Sequence, residues 1–187
     1  MTYIQTITGR TIDFTDPDPE QIHILDIATG LARAPRFAGH TDVAWTVAAH
    51  SLFVSDHCPP ELQFEGLLHD AAEAYMGDVP TPLKRLCHSY TVYEGILERA
   101  IRKRYGLGPW ASTHVEDVDR WALEEERRAF CKNSTWSMPP AIQLENTWAD
   151  FERGMGFGES RYVFLIKFLA LCPDQFKEEA EWALENR

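Results

Sequence analysis

The chain has 187 residues, 44% of them hydrophobic and 12% aromatic, enough for one domain with a core of its own. Its formal net charge is -11, with Lys+Arg 18 against Asp+Glu 29. That balance argues against a general nucleic-acid or anionic-membrane binder, because phosphate surfaces require a basic footprint. It does not exclude a small phosphorylated substrate held by a metal and a few local cations. Cys58, Cys87, Cys131 and Cys172 stand without CxxC or metal-ligand spacing and read as reduced thiols. The N-terminus lacks the basic region and apolar run of a signal peptide. The longest apolar run, residues 162–172, is too short to span a bilayer and contains Lys167. The expectation is a soluble, cytoplasmic protein without membrane or nucleic-acid partners.

In chain order, residues 3–14 carry β-branched residues on either side of Gly9-Arg10 and predict a short hairpin. Asp18 as N-cap, Pro19 at the first helical position and Gln21 closing a capping box predict a helix that runs to about Arg33. The stretch 34–41 breaks that helix; with Arg36, Phe37 and His40 it reads as a loop capable of binding. A second helix is expected from Asp42 to about Asp56, with His50 near its middle. Pro59-Pro60 start a third, which ends at Met76-Gly77, and residues 78–84 follow as a Pro-containing turn. Helices are expected over about 85–105 and from Ser112 to about Cys131, the latter with Val115, Val118, Ala122 and Leu123 inward and Asp119 at the edge of that face. The charge run Glu124 to Arg128 reads as a solvated face. Residues 132–145 read as loop, and a short helix is expected around Trp148 and Phe151. Two further helices, about 160–171 and 174–186, close the chain.

The stretch from Leu67 to Lys84 carries most of the chemistry. His69, Asp70 and Glu73 crowd one helical face, and ionisable groups on a half-buried face need a partner. Adding His50 and Asp119 from separate predicted helices yields two imidazoles and two carboxylates. A mixed N/O set of that kind suits Mn, Fe, Co, Ni or Zn better than the all-oxygen cages of Mg or Ca. A buried His/Asp cluster with a purely structural role is the alternative, as is a metal that serves stability alone.

His50-Ser51-Leu52, His69-Asp70-Ala71-Ala72-Glu73, the segment Gly77-Asp78-Val79-Pro80-Thr81-Pro82-Leu83-Lys84 and Asp119 resemble the HD-domain metal-dependent phosphohydrolases. The resemblance covers about residues 20–130 and is nearest to the branch of the bacterial 5'-deoxynucleotidases and phage dATP triphosphohydrolases. Arg36-Phe37 matches in placement an Arg-aromatic pair of that branch; the 5'-deoxynucleotidases carry Trp where this chain has Phe37. The resemblance implies an all-α HD-domain helical bundle with a small N-terminal β-hairpin, spanning residues 1–187 as a single domain. The C-terminal helices, about 147–186, would pack on its core. It implies one divalent metal ion held by His50, His69, Asp70 and Asp119, with Glu73 orienting or deprotonating the attacking water. Asp78 would contact the sugar hydroxyl or assist proton transfer.

For the substrate, the resemblance implies Arg36 on phosphate, with Phe37, His40 and Lys84 as further contacts. The expected reaction is hydrolysis of a phosphate group from a (deoxy)nucleotide, foremost a 5'-deoxynucleotidase reaction. The alternatives are a dNTP triphosphohydrolase releasing tripolyphosphate and a nucleotide-sensing module without turnover. A homodimer is compatible with apolar surface on the C-terminal helices. Glu73 can also be read as a partner of a ligand histidine, Asp78 as a turn cap and His40 as a loop stabiliser. His23, His57, His88 and His114 belong to no constellation and read as structural or exposed.

Overall fold

The computed structural model describes residues 1–131 and 156–186. Among these the fold is all-α with a small N-terminal hairpin. Strand β1 (Tyr3–Gln5) pairs antiparallel with β2 (Thr11–Asp13), Ile4 opposite Ile12, and Gly9 at φ +82 makes the turn that an L side chain would resist. The turn is pinned to the first helix: the Thr8 N–H and hydroxyl donate to the Asp26 carboxylate at 3.0 and 2.7 Å.

Helix α1 (Ile24–Arg33) starts later than the sequence suggests. Asp18 does cap, accepting the Glu20 N–H, but only the 3-10 turn Pro19–Gln21 follows. Ile22 then extends into the core, fully buried, and His23 Nδ1 accepts the Leu25 N–H to cap α1. Helix α2 (Val47–His57) likewise begins at Thr46, whose hydroxyl accepts the Ala49 N–H, and not at Asp42. The residues before it form an extended return, with the Arg36 N–H on the Trp45 carbonyl at 2.9 Å. From Val47 to Ser55 every residue of α2 is buried. A helix buried all round is a core helix, and α2 packs against α1, α3 (Gln63–Leu68), α7 (Thr113–Phe130) and α8 (Phe157–Leu171).

The single helix expected to end at Met76 is interrupted. It comprises a 3-10 turn (Pro60–Leu62), α3 and α4 (Glu73–Met76). Between α3 and α4 the backbone bonds run from residue i+3 to i: Ala71 to Leu68, Glu73 to Asp70 and Tyr75 to Ala72. This is the tighter 3-10 winding, with about 3.0 residues per turn, and it turns His69, Asp70 and Glu73 relative to an α-helix. Gly77, at φ +80, ends α4 as expected. The Pro-containing turn holds a one-turn helix, α5 (Thr81–Lys84). Helices α6 (His88–Arg104), α7, α8 and α9 (Lys177–Glu185) occupy the segments predicted for them. The loop expected at 132–145 and the helix around Trp148 and Phe151 lie outside the described residues. Phe164, Phe168, Ala180 and Ala183 of α8 and α9 share one buried cluster with Ile27, Leu31, Val47 and Leu67. No helix of the described residues is long and apolar enough to cross a membrane.

Helices α1 and α4 touch at Gly30. A Cβ built there would lie 2.3 Å from the Ala74 carbonyl oxygen and 2.7 Å from its Cα. The Gly30→Ala variant must therefore push α4, and Glu73 with it, away from α1. Overpacking of this kind costs about 1–3 kcal/mol. Thermal melts should show Gly30→Ala well below the parent; an unchanged melting temperature would contradict the contact.

Candidate metal centre

Helix α2 contributes His50, the 3-10 winding after α3 contributes His69 and Asp70, and α7 contributes Asp119. Their ligand atoms all lie within 4.8 Å of one another, a group that could hold a metal ion. His50 Nε2 stands 3.0 Å from Asp119 Oδ1, 3.3 Å from His69 Nε2 and 3.5 Å from Asp70 Oδ2. His69 Nε2 stands 3.2 Å from Asp70 Oδ2 and 3.7 Å from Asp119 Oδ1. Donors about 2.1 Å from a common centre are spaced about 3.0 Å on an octahedral edge and about 3.4 Å on a tetrahedral one. The four side chains fit a single cation.

The far nitrogens of both imidazoles are also fixed. His69 Nδ1 lies 2.8 Å from the Gly66 carbonyl, and His50 Nδ1 lies 2.6 Å from Glu126 Oε1. With Nδ1–H donating to these acceptors, each Nε2 presents its lone pair to the group, the arrangement that orients metal-bound histidines. Glu126 is fully buried, so the charge run corrects the sequence expectation: Glu124 and Glu126 are 1% and 0% exposed. Glu126 sits four residues after Ala122, on the stripe of Val115, Val118 and Ala122, so a helical reading of that stripe carries it inward. The remaining charges of the run pair i,i+3, Arg127 with Glu124 and Arg128 with Glu125.

Arg36 is buried, but its fork is engaged by protein. Its Nε and Nη2 donate to Glu126 Oε2 at 3.3 and 3.1 Å, and Nη1 lies 3.8 Å from Asp70 Oδ2. Phe37 and Ala38, at φ 53 and 52, follow in the left-handed region. Two consecutive non-glycine residues there store strain, each about 1–3 kcal/mol, and the turn they form sets Arg36 inward while Phe37 lines the adjoining cavity. Lys84 is likewise turned to protein, with Nζ 2.9 Å from Glu73 Oε1 and 2.7 Å from Glu94 Oε1. His40 is exposed, lines neither cavity beside the group, and offers its carbonyl to the Cys131 thiol. His23 serves as a helix cap and His57 packs at a tilt against Trp121, while His88 and His114 are exposed. All four cysteines are free thiols.

Electrostatically the group is tightly coupled. Burial and Arg36 push His50 down, but Glu126 and Asp119 outweigh them and hold it up at about 9. His69 is held well above its usual range: Asp70 and Asp119 override burial. Asp70 and Asp119 are correspondingly held low against burial by the two imidazoles. Glu73 differs. Burial first, then the Asp70 and Asp78 carboxylates, push it up to about 8 against the pull of Lys84. Its Oε2 is buried without a hydrogen-bond partner. Asp78 is raised by burial, with Arg36 opposing.

Two cavities meet at the group. One of about 490 Å³ is lined by Arg36, Phe37, Asp78 and Asp119, with Arg85 and Arg120 among the other lining residues. The second, about 290 Å³, is lined by His69, Asp70, Glu73, Lys84 and Asp119, together with Glu94 and Glu98.

The chain is 41% identical over 128 residues to YfdR, an uncharacterized protein of Escherichia coli K12, a match covering 68% of this chain and 72% of that protein. It is 39% identical over 111 residues to an uncharacterized protein of Rhodobacter capsulatus, where the match covers 54% of this chain and 57% of the relative. No model of a protein family matches the chain.

Proposed function

The chain belongs to the family of Escherichia coli YfdR, and for it we propose divalent-metal-dependent hydrolysis of a (deoxy)nucleotide phosphate on an HD-type bundle. The foremost reaction is that of a 5'-deoxynucleotidase: a deoxynucleoside monophosphate and water give the deoxynucleoside and inorganic phosphate. The observation that carries this reading is the meeting of the four metal-ligand donors with two differently placed carboxylates, Glu73 in one cavity and Asp78 in the other.

A divalent cation bound by His50, His69, Asp70 and Asp119 supplies charge neutralisation on phosphate oxygens and a lowered pKa for water. The chain supplies the rest. Glu73, fixed through Oε1 by Lys84, leaves Oε2 to accept a hydrogen bond from the attacking water. Asp78, which lines the larger cavity, would meet the sugar hydroxyl or deliver a proton to the departing oxygen. Arg36, braced by Glu126, retains Nη1 toward Asp70 and the larger cavity, where it adds positive charge beside the phosphate. Phe37 offers an apolar wall for the nucleoside.

Arg85, Arg120 and Arg127 extend that cavity and favour, as a second reading, a longer phosphate chain and release of tripolyphosphate. Purified protein is incubated with Mn²⁺ or Co²⁺ and a panel of dNMPs and dNTPs. Release of phosphate and deoxynucleoside from dNMPs is expected. Tripolyphosphate from dNTPs would select the second reading, tight binding without turnover a nucleotide-sensing module, and no reaction or binding would overturn the nucleotide assignment.

A further inference from the structure

The two cavities that meet at Asp119 differ sharply in charge. In the smaller one, Asp70, Glu73, Glu94, Glu98, Glu116 and Asp119, six carboxylates, face only Lys84 and the His69 imidazole. In the larger, four arginines stand against four carboxylates. The smaller cavity is also the one lined by three of the four metal-ligand residues, His69, Asp70 and Asp119; the larger touches that set through Asp119 alone. Within the acidic cavity the Glu73 side chain is 95% buried by its 5% exposure, and its Oε2 has no partner. Lys84 is already shared between Glu73 and Glu94, so it leaves most of the cavity's negative charge uncompensated.

We propose that the two cavities divide access by charge: the divalent cation reaches its ligands through the acidic cavity of Glu94 and Glu98, and the anionic substrate approaches through the arginine-lined cavity of Arg85 and Arg120. The first half depends only on the metal centre; the second rests on the phosphohydrolase reading. A cleft lined by one sign of charge between low-dielectric walls focuses the field and raises cation on-rates, by about 10- to 1000-fold in strong cases. The same field repels a phosphate dianion. Arg85 and Arg120 are exposed on the other side, with Arg120 lightly paired to Asp117 at 3.1 Å, so both are available to steer an anion inward.

The test uses Co²⁺ alone. Chelator-stripped protein is mixed with Co²⁺ in a stopped-flow instrument, and the cobalt absorption band is followed at low and high salt. In the Glu94→Gln/Glu98→Gln variant the association rate should fall about 5- to 10-fold at low salt and lose most of its salt dependence, with bound cobalt at saturation unchanged. Glu98→Gln alone should show a smaller fall in the same direction, which guards against disturbance of the Lys84 pair. Arg85→Gln/Arg120→Gln should leave the cobalt rate within about twofold, yet weaken inorganic phosphate binding to the cobalt-loaded protein several-fold, read as a change in the same band. An unchanged cobalt rate in the glutamate variants, or an equal fall in the arginine variant, overturns the cation route. Weaker phosphate binding in the glutamate variants with none in the arginine variant overturns the anion route. Neither readout requires turnover, so a chain without nucleotidase activity would still decide the cation half.

Discussion

Replacing His69 with alanine should abolish stoichiometric binding of a divalent metal, lowering affinity by more than the about 10- to 100-fold typical of losing a residue behind a ligand. Asp119→Ala should do the same from a different helix, because both contribute donors that stand 3.7 Å apart around one centre. Dialysis followed by elemental analysis reads the outcome. Full metal occupancy in either variant would refute the ligand set, whatever the activity. Hydrolysis of any nucleotide should vanish with the metal.

The same group sets a pH dependence with a definite sign. His50, raised from 6.5 to about 9 in the folded chain, contributes stability that is fully present below about 6.5 and is lost as pH rises through about 9. His69, raised in the same direction, adds to this loss. Metal binding displaces those protons and therefore strengthens over the same window. Chelator-treated protein should melt lower at pH 9 than at pH 6.5, and the rise in melting temperature on adding Co²⁺ should grow with pH. Asp70 and Asp119, held low, contribute in the opposite sense: their stabilisation is present above the usual carboxylate range and fails only as pH drops below it. A metal increment that shrinks from pH 6.5 to pH 9 would contradict the coupled His/Asp group.

The four residues of the group were legible because His50, the pair His69-Asp70 and Asp119 fall on three separate segments whose apolar spacing predicts helices, Asp119 at the edge of its inner face. The 3-10 winding through residues 69–72 was not legible: moving the backbone bonds from i+4 to i+3 leaves residue identities unchanged, and no glycine or proline marks it. The late start of α1 traces to a second cap, His23, behind Asp18, and α2 starts at the Thr46 cap, four residues after the Asp42 expected from the sequence. Arg36 and Lys84 were recognised as significant cations, but a cation's partner depends on which carboxylate is buried beside it. Glu126 pairs with the Arg36 guanidinium and Glu73 with the Lys84 ammonium, pairings that the spacing of these residues along the chain does not announce. Glu126 itself was hidden in a run of five charges, where composition suggests solvent and only its spacing from Ala122 points inward.

Glu126 carries the second large effect. One oxygen accepts from His50 at 2.6 Å and the other from Arg36 at 3.1 Å, with all three groups buried. Glu126→Leu leaves the Arg36 charge buried without its principal partner, a change that costs about 3–5 kcal/mol and, for a chain of this size, lowers the melting temperature on the order of 10 °C. It also removes the acceptor that fixes His50, so metal affinity should fall about 10- to 100-fold. The two consequences separate in a double variant. Glu126→Leu/Arg36→Met replaces a buried ion pair with apolar groups of similar bulk, which is often neutral or stabilising. Its melting temperature should recover most of the loss. Its metal affinity should not, because His50 Nδ1 still lacks the carboxylate that holds Nε2 toward the centre. Recovery of both would make Glu126 a folding residue alone; recovery of stability without metal makes it the residue through which α7 holds His50 in its ligating orientation.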